Sequence, residues 1–303
     1  MSPAVTSFVA TLIANPAAPC LEEAHLRLAA QALEHAKSPV WLDRGIAADL
    51  PFEAPAHLDR RGAALAVKAL LAGLPVDVVV QPARGRKKRL LVADMDSTMI
   101  GQECIDELAD FVGLKEKVSA ITERAMRGEI AFEPALRERV ALLKGLPVAI
   151  VDRIIAERIT LTPGGPELVR TMRAAGGEAW LVSGGFTVFT TRIGATIGFN
   201  ENRANILDVT DGVLAGTVAE PILGKQAKLD TLIAVRERMG LTPDETMAVG
   251  DGANDLAMLG AAGLGVAFHA KPQVAAEAHA CIDHGDLTAL LFIQGYARAD
   301  FMA

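Results

Sequence analysis

Apolar and polar positions divide the chain into two regimes. Up to about residue 82, TSFVATLIA predicts a strand, and LEEAHLRLAAQALEHA predicts a helix whose apolar positions recur at three- and four-residue spacing. PVWLDRGIAADLPF reads as irregular or paired strand, LDRRGAALAVKALLAGL as a second amphipathic helix, and VDVVV as a closing strand. The order is close to β-α-β-β-α-β, a small α+β unit over residues 1–82. From residue 90, short apolar runs alternate with helical segments, the sign of a parallel sheet. LLVA, AWLV, TMAV and GVAF each suit a strand buried on both faces.

More than eighty residues separate LLVA from AWLV. Within them ECIDELADFVG, EKVSAITERAMRG, FEPALRERVALLKG and VAIVDRIIAERI have helical spacing, with Gly or Pro at their ends. So long an insertion exceeds a simple crossover and predicts a helical cap at about 101–160. Further on, NILDVTDGVLAGTVA alternates around Asp211-Gly212 and predicts a β-hairpin. The fold expected over residues 90–303 is α/β: a three-layer, doubly wound parallel sheet of the Rossmann type with a helical cap. A linker at 83–89 joins it to the N-terminal α+β unit.

Composition narrows the function classes. With 51% hydrophobic and 22% charged residues, the 303-residue chain has material for two globular domains. Aromatics at 4% leave the core to Ala, Leu, Val and Ile. A net charge of -7 argues against nucleic acid as a partner. Against that acidic background, the basic run Arg84, Arg86, Lys87, Lys88 and Arg89 reads as a solvated linker rather than a nucleic-acid patch. Cys20, Cys104 and Cys281 stand far apart with no C-x-x-C, which fits a reducing compartment and neither a disulfide framework nor a structural zinc site. No apolar run reaches the ~18 to 20 residues of a membrane span. The first twenty residues carry no Lys or Arg ahead of their apolar part and are interrupted by Asn15 and Pro16, unlike a secretory signal. A cytoplasmic protein with a small-molecule partner and no membrane is the expectation.

Three of the four apolar runs end in polar clusters, at Asp94, Ser183 and Asp251. In open α/β sheets ligands bind beyond the carboxyl ends of the strands, so these ends can converge on one site. Asp94 and Asp96, two apart in an extended segment, face the same side. Two such carboxylates are tolerated together where a cation neutralises them or one keeps its proton. Hard oxygen ligands suit magnesium, and Asp251 is the natural further acid. A calcium loop does not fit, because the twelfth position counted from Asp94 is Ile105 rather than Glu, and the sixth is not Gly. A Walker sequence is absent.

In LVSGGF, Ser183 offers a hydroxyl, and the N–H groups of Gly184 and Gly185 can approach an anion closely. GKQAKLDTL holds Lys225 and Lys228, either one suited to stabilise an anionic transition state. AVGDGANDLAML places Asp251, Asn254 and Asp255 in a Gly-rich turn before a helix, with Asp255 either a partner of Asp251 or an acidic N-cap.

The order D-x-D-S-T, S-G-G, K and G-D-G-x-N-D resembles the haloacid-dehalogenase-like phosphatases and, within them, the phosphoserine phosphatases, over residues 90 to about 290. The resemblance selects Lys228 over Lys225. It implies that Asp94 attacks phosphorus to form an aspartyl-phosphate, and that Asp96 protonates the leaving oxygen and later takes a proton from water. Magnesium would be held by Asp94, the backbone carbonyl of Asp96 and Asp251, with Asp255 beside them, while Ser183, Gly184, Lys228 and Asn254 bind substrate. Asp96 also separates the chain from the aspartyl-phosphate cation pumps, which carry D-K-T-G.

Within the cap, GQECIDELA and LRERVALLKGLP match the same family. They imply Glu103 for a substrate ammonium, Arg139 for its carboxylate through paired hydrogen bonds, and Met126 with Phe132 as apolar lining. Arg137, two residues along the helix, is expected to face elsewhere. The implied reaction is hydrolysis of O-phospho-L-serine to L-serine, the last step of serine synthesis. Phosphotransfer to an acceptor such as homoserine fits the same motifs. A non-enzymatic amino-acid sensor has no need to keep Asp94, Asp96, Ser183, Lys228 and Asp251 together. The β-α-β order of the N-terminal unit resembles ACT-type amino-acid-binding domains, with regulation by serine, homodimer formation or stabilisation as its open roles.

Overall fold

The computed structural model describes residues 5–127 and 129–303, apart from the side chains of Val5 and Met126. At the N-terminus, β1 (Val5–Ala14), α1 (Glu23–Ala30), β2 (Val40–Asp43), β3 (Ala47–Pro55), α2 (Arg60–Leu70) and β4 (Val76–Pro82) follow in order. The four strands form an antiparallel sheet in the order β2-β3-β1-β4. Helix α1 is shorter than its apolar spacing predicts. Beyond Ala30 the N–H groups of Gln31, Ala32 and Leu33 bond three residues back, which turns Leu33 into the core beside Leu26. Along β1, Phe8, Ala10, Leu12 and Ala14 pack with α1 and α2, while Ile13 packs on the opposite side with the second unit. From Phe8 to Ala14 neither face of β1 meets solvent, hence the nearly unbroken apolar sequence there.

The second unit begins with β5 (Leu90–Ala93). The cap follows as α3 (Cys104–Phe111), α4 (Lys115–Met126), α5 (Phe132–Ala141) and α6 (Ile150–Arg158). Then come α7 (Gly165–Ala174), β6 (Glu178–Phe186), α8 (Thr187–Ile197), β7 (Glu201–Asn205), the hairpin β8 (Leu207–Thr210) and β9 (Val213–Val218), and α9 (Lys225–Arg238). The chain closes with β10 (Thr246–Gly250), α10 (Leu256–Ala261), β11 (Leu264–Phe268), α11 (Pro272–Glu277), β12 (Ala280–Ile282) and α12 (Ala289–Phe292). Among the described residues no helix is long and apolar enough to cross a membrane.

Six parallel strands form one sheet in the order β12-β11-β10-β5-β6-β7. Period-two alternation splits β5 between the two faces. Leu90 and Val92 pack with Leu232, Val235 and Met258 of α9 and α10. Leu91 and Ala93 pack with Leu168, Phe189 and Leu290 of α7, α8 and α12. From β5 the chain proceeds outward through β6 and β7, then returns to the other side of β5 as β10. That reversal is the topological switch at which such sheets bind ligands, and it sets Asp94 between the ends of β6 and β10. The edge strands β7 and β12 escape the apolar pattern because ENRAN is polar and ACI is three residues long.

Two features place the cap. Its ends meet at a short neck, where Ile100 bridges Leu161 and Gly101 N–H donates to Thr160 O at 3.0 Å. The hairpin β8–β9 braces it from below, with Gly145 N–H donating to Leu214 O at 2.8 Å. The hairpin turns at Asp211 and Gly212, with φ of 50° and 77°, the paired left-handed geometry that matches strand twist.

The basic run between the units is solvated only in part: Arg84, Lys87 and Arg89 are exposed, but Arg86 and Lys88 are not. Arg86 is largely buried, and its guanidinium grips Asp49 of β3 at 2.6 and 3.0 Å. It also donates to the Thr11 hydroxyl and to the carbonyls of Phe292 and Ile293 at 3.0 to 3.1 Å. Lys88 is buried too, its ammonium donating to Gly85 O and Asp244 O. Burial is tolerated because every charge finds fixed acceptors, which a local charge count does not reveal.

Candidate active site

Asp94 follows the last residue of β5, where its N–H donates to Val249 O of β10 at 3.0 Å. A wide turn over residues 95–99 follows, closed by Ile100 N–H to Met95 O at 3.1 Å, with Ser97 in the left-handed region at φ 55°. Met95 points into the core while Asp94 and Asp96 both line one cavity of about 380 Å³ under the cap. The same cavity is lined by Glu103, Phe132, Arg139, Ser183, Gly184, Asp251 and Asn254. A pocket of this size suits a small metabolite. Phe132 and Asn254 also border an adjoining opening with Lys228. Of the residues singled out in the sequence, Met126 ends α4, and its side chain lies outside the described residues.

Lys228 is 2% exposed and sits between Asp94 Oδ2 and Asp255 Oδ1, 2.6 Å from each. Burial works against its charge, but the two carboxylates outweigh burial and hold it above the usual lysine range. Lys225 is not in contact with this group, so the helix α9 presents one lysine inward and the other outward. Asp255 accepts from Gly252 N–H at 3.1 Å as well, and burial together with Asp94 raises it to about 7. Gly250 is required there, because a Cβ would lie 2.4 Å from the Asp255 carboxyl. Asp251 accepts from the Thr98 hydroxyl at 3.3 Å, and burial and Asp94 raise it above the ordinary carboxylate range. One oxygen each from Asp94, Asp251 and Asp255 lie within 4.8 Å of one another.

The Asp96 carboxylate is held away from that trio. It accepts from Cys104 N–H at 2.9 Å and from the Ser183 hydroxyl at 3.2 Å. Burial and the nearby Asp94 raise it to about 6. Glu103 accepts from the Ser97 hydroxyl at 2.7 Å and is raised to about 7 by burial and by Asp96. Across the cavity, Arg139 is tied by weak bonds to Ala135 O and Thr122 Oγ1 and has no ion-pair partner within 4 Å among the described residues. Burial lowers it somewhat, against the pull of Asp106 and Glu103. Arg137 does face elsewhere, pairing with Glu133 and Glu220 on the surface.

Two contributors leave no local sequence signal. Along β6 and β7, Val182 pairs with Arg203 but Phe186 pairs with Asn205, so Ser183, Gly184 and Gly185 bulge out of the ladder toward the cavity. The buried Asn205 side chain replaces the lost ladder bonds, donating to Gly184 O at 2.9 Å and Leu223 O at 3.1 Å and accepting from Leu223 N–H at 2.7 Å. The bulge leaves a side chain at Gly185 tightly crowded, since a Cβ would stand 3.0 Å from Ser183 Oγ and 3.1 Å from Asp96 Oδ2 and could be taken only if those atoms shifted. Lys271, just ahead of α11, lines the cavity and donates its N–H to Asp251 O at 3.4 Å.

Residues 91–260 match the model of the haloacid dehalogenase-like hydrolases. The chain belongs to that family. It is 45% identical over 224 residues to a phosphoserine phosphatase of Polaromonas sp., covering 72% of this chain and 95% of the relative. A solved probable phosphoserine phosphatase from Vibrio cholerae, in unliganded form, superimposes with a TM-score of 0.76 at 31% identity, over 97% of this chain and 88% of the other. A phosphoserine phosphatase solved as a phospho-aspartyl intermediate analogue matches at 41% identity with a TM-score of 0.62, over 68% of this chain and 98% of that one. The enzymatic, hydrolase character of the chain follows from the family.

Proposed function

We propose that the protein is a magnesium-dependent phosphoserine phosphatase that hydrolyses O-phospho-L-serine to L-serine and phosphate. The observation that carries this reading is the charge pattern of one cavity. A phosphate-handling cluster around Asp94, Ser183 and Lys228 lies at the sheet, and Glu103 and the unpaired Arg139 face it from the cap. Glu103 and Arg139 are complementary to the ammonium and carboxylate of an amino acid whose side chain ends in phosphate. The relatives named as phosphoserine phosphatases support the same substrate.

Asp94 attacks phosphorus, and the bond from phosphorus to the serine oxygen breaks as the aspartyl-phosphate forms. Support comes from the related enzyme solved as a phospho-aspartyl intermediate analogue. Asp96, raised to about 6, gives its proton to the departing serine oxygen and then takes one from the water that cleaves the acyl phosphate. Its contact with Ser183 and with Cys104 N–H keeps it turned toward the leaving group. Ser183, the N–H of Gly184, Asn254 and Lys228 hold the phosphate oxygens.

The residues fit a divalent cation. Five carboxylates, those of Asp94, Asp96, Glu103, Asp251 and Asp255, outnumber Lys228, Lys271 and Arg139, and a phosphate would add further negative charge. Asp94 and Asp251, with the Asp96 carbonyl, would hold magnesium, which would neutralise that charge and orient the phosphate. Asp255, both of whose oxygens accept hydrogen bonds, would position Lys228 and the Gly252 turn. Three free cysteines support a cytoplasmic setting, and release of L-serine from its phosphate ester would be the last step of serine synthesis.

Phosphate release from L-phosphoserine and from p-nitrophenyl phosphate, with magnesium, tests the reading. Asp94→Asn is expected to be inactive on both esters, and Arg139→Ala to lose mainly phosphoserine. A wild-type enzyme that cleaves the artificial ester but ignores phosphoserine would sink the substrate assignment. Activity retained in Asp94→Asn would sink the nucleophile.

A further inference from the structure

A second cavity, of about 330 Å³, opens between the two units, bounded by α2, the outer edge of β4, α11 and β12. Strands β4 and β12 are the edges of their sheets and pack against each other. Asp77 of β4 closes the junction on one side, its buried carboxylate accepting from the N–H groups of Asp283, His284 and Gly285 at 2.8 to 3.3 Å. Arg60, Arg61 and Lys68 of α2 line the cavity against a single acid, Asp283, which lies 3.5 Å from Lys68. Neither Arg60 nor Arg61 has an ion-pair partner within 4 Å among the described residues. In a chain of net charge -7, such an excess of positive charge in a cleft selects an anion.

The rest of the lining defines the anion further. Leu65, 58% exposed, and the apolar edge of β4 form one wall, so an alkyl group is covered there while a guanidinium takes the planar head. His279 accepts from Gly265 N–H at its Nδ1 (2.9 Å), so its neutral ring, with this tautomer assigned from that bond, carries its proton on Nε2 as a further donor.

Helix α11 joins this cavity to the active site. Arg61 reaches across the cleft to donate to Ala276 O near the end of α11. At the start of the same short helix, Lys271 lines the active-site cavity and bonds the carbonyl of Asp251. A ligand that pulls on one end of so short a rigid element moves the other.

We propose that this cleft binds a small organic carboxylate with an alkyl body, and that its occupancy is felt at Asp251 and Lys271 through α11. The test titrates isocaproate into the full, nitrogen-15-labelled chain without substrate, so that it is independent of which ester the enzyme cleaves. Saturable shifts are expected at residues 60–68 and 276–283 and, with the same midpoint, at the amides of Asp251 and Lys271, while neutral isocaproamide moves none of them. Arg60→Ala combined with Lys68→Met should raise the midpoint by about tenfold or more, with urea unfolding and p-nitrophenyl phosphate turnover at wild-type levels. Arg139→Ala, which removes the carboxylate binder proposed for the active site, should leave the titration unchanged. No shifts, a midpoint indifferent to the double variant, or one raised by Arg139→Ala would overturn the site. Shifts confined to the cleft would overturn the coupling.

Discussion

Replacing Asn205 by Ala probes how the phosphate-facing bulge is held. The side chain makes three hydrogen bonds, two to Leu223 and one to Gly184 O, and it is 2% exposed. The variant leaves the N–H and C=O of Leu223 and the C=O of Gly184 without those partners. At about 1 kcal/mol for each bond the loss of stability is about 3 kcal/mol. Catalysis should suffer separately, because Asn205 ties the Ser183–Gly185 segment to the loop that leads into α9 and Lys228. A displacement of about 1 Å at a reacting centre costs about 100-fold. Urea unfolding followed by far-ultraviolet circular dichroism measures the first quantity, and kcat/KM for phosphoserine in the absence of urea measures the second. Turnover within about threefold of wild type, a barrier change under 1 kcal/mol, would refute the reasoning, since the bulge would then hold its shape without its side-chain bridge.

Other outcomes follow from the same geometry. Arg86→Met should destabilise the protein by about 3 to 5 kcal/mol by leaving Asp49 buried and unpaired, and adding Asp49→Leu should recover much of that loss in a double-mutant cycle read by urea unfolding. Gly185→Ala places a methyl against Ser183 Oγ and Asp96 Oδ2, so kcat should fall about tenfold or more while the packing strain costs about 1 kcal/mol of stability. Wild-type unfolding midpoints with normal kcat would contradict the crowding. His279 is held below its ordinary 6.5 by burial and by Arg60. Its contribution to stability is therefore present above that value and lost as the pH falls through it toward the lower folded-state value. Melting temperatures between about pH 7 and about pH 5 should drop more steeply in wild type than in His279→Gln; parallel curves would remove His279 as the cause.

The legible part of the site consists of residues whose position follows from local periodicity. Asp94, Ser183 and Asp251 were visible because each ends an apolar run, and the parallel sheet brings those ends together. Arg139 was separable from Arg137 because two helical steps send side chains to different faces, and the surface pairs of Arg137 agree. Asn205, Lys271 and Asp77 were not legible. Asn205 looks like any polar residue on a short edge strand, and its role depends on a bulge in the neighbouring strand β6. Arg86 and Lys88 were misread as solvated because all the acceptors of Arg86 come from β1, β3 and the C-terminal segment, and one of the two acceptors of Lys88 is Asp244 O, far away along the chain.

What the sequence determined by itself is local: the alternation of strands and helices, the strands apolar on both faces, the hairpin at Asp211-Gly212, and the kinds of chemistry offered at each strand end. A side chain's direction repeats every two or 3.6 residues, so those features need only near neighbours. The tertiary structure decided the strand order, which put β5 between β10 and β6, and the burial that lifts Asp96 and Glu103 toward neutral pH. It also decided the docking of the N-terminal sheet against α12, the charged cleft beside α11, and the bridge from Asn205 to the bulge. Desolvation and hydrogen-bond geometry depend on which surfaces meet, and that depends on residues more than two hundred positions apart, as between Asp77 and Gly285.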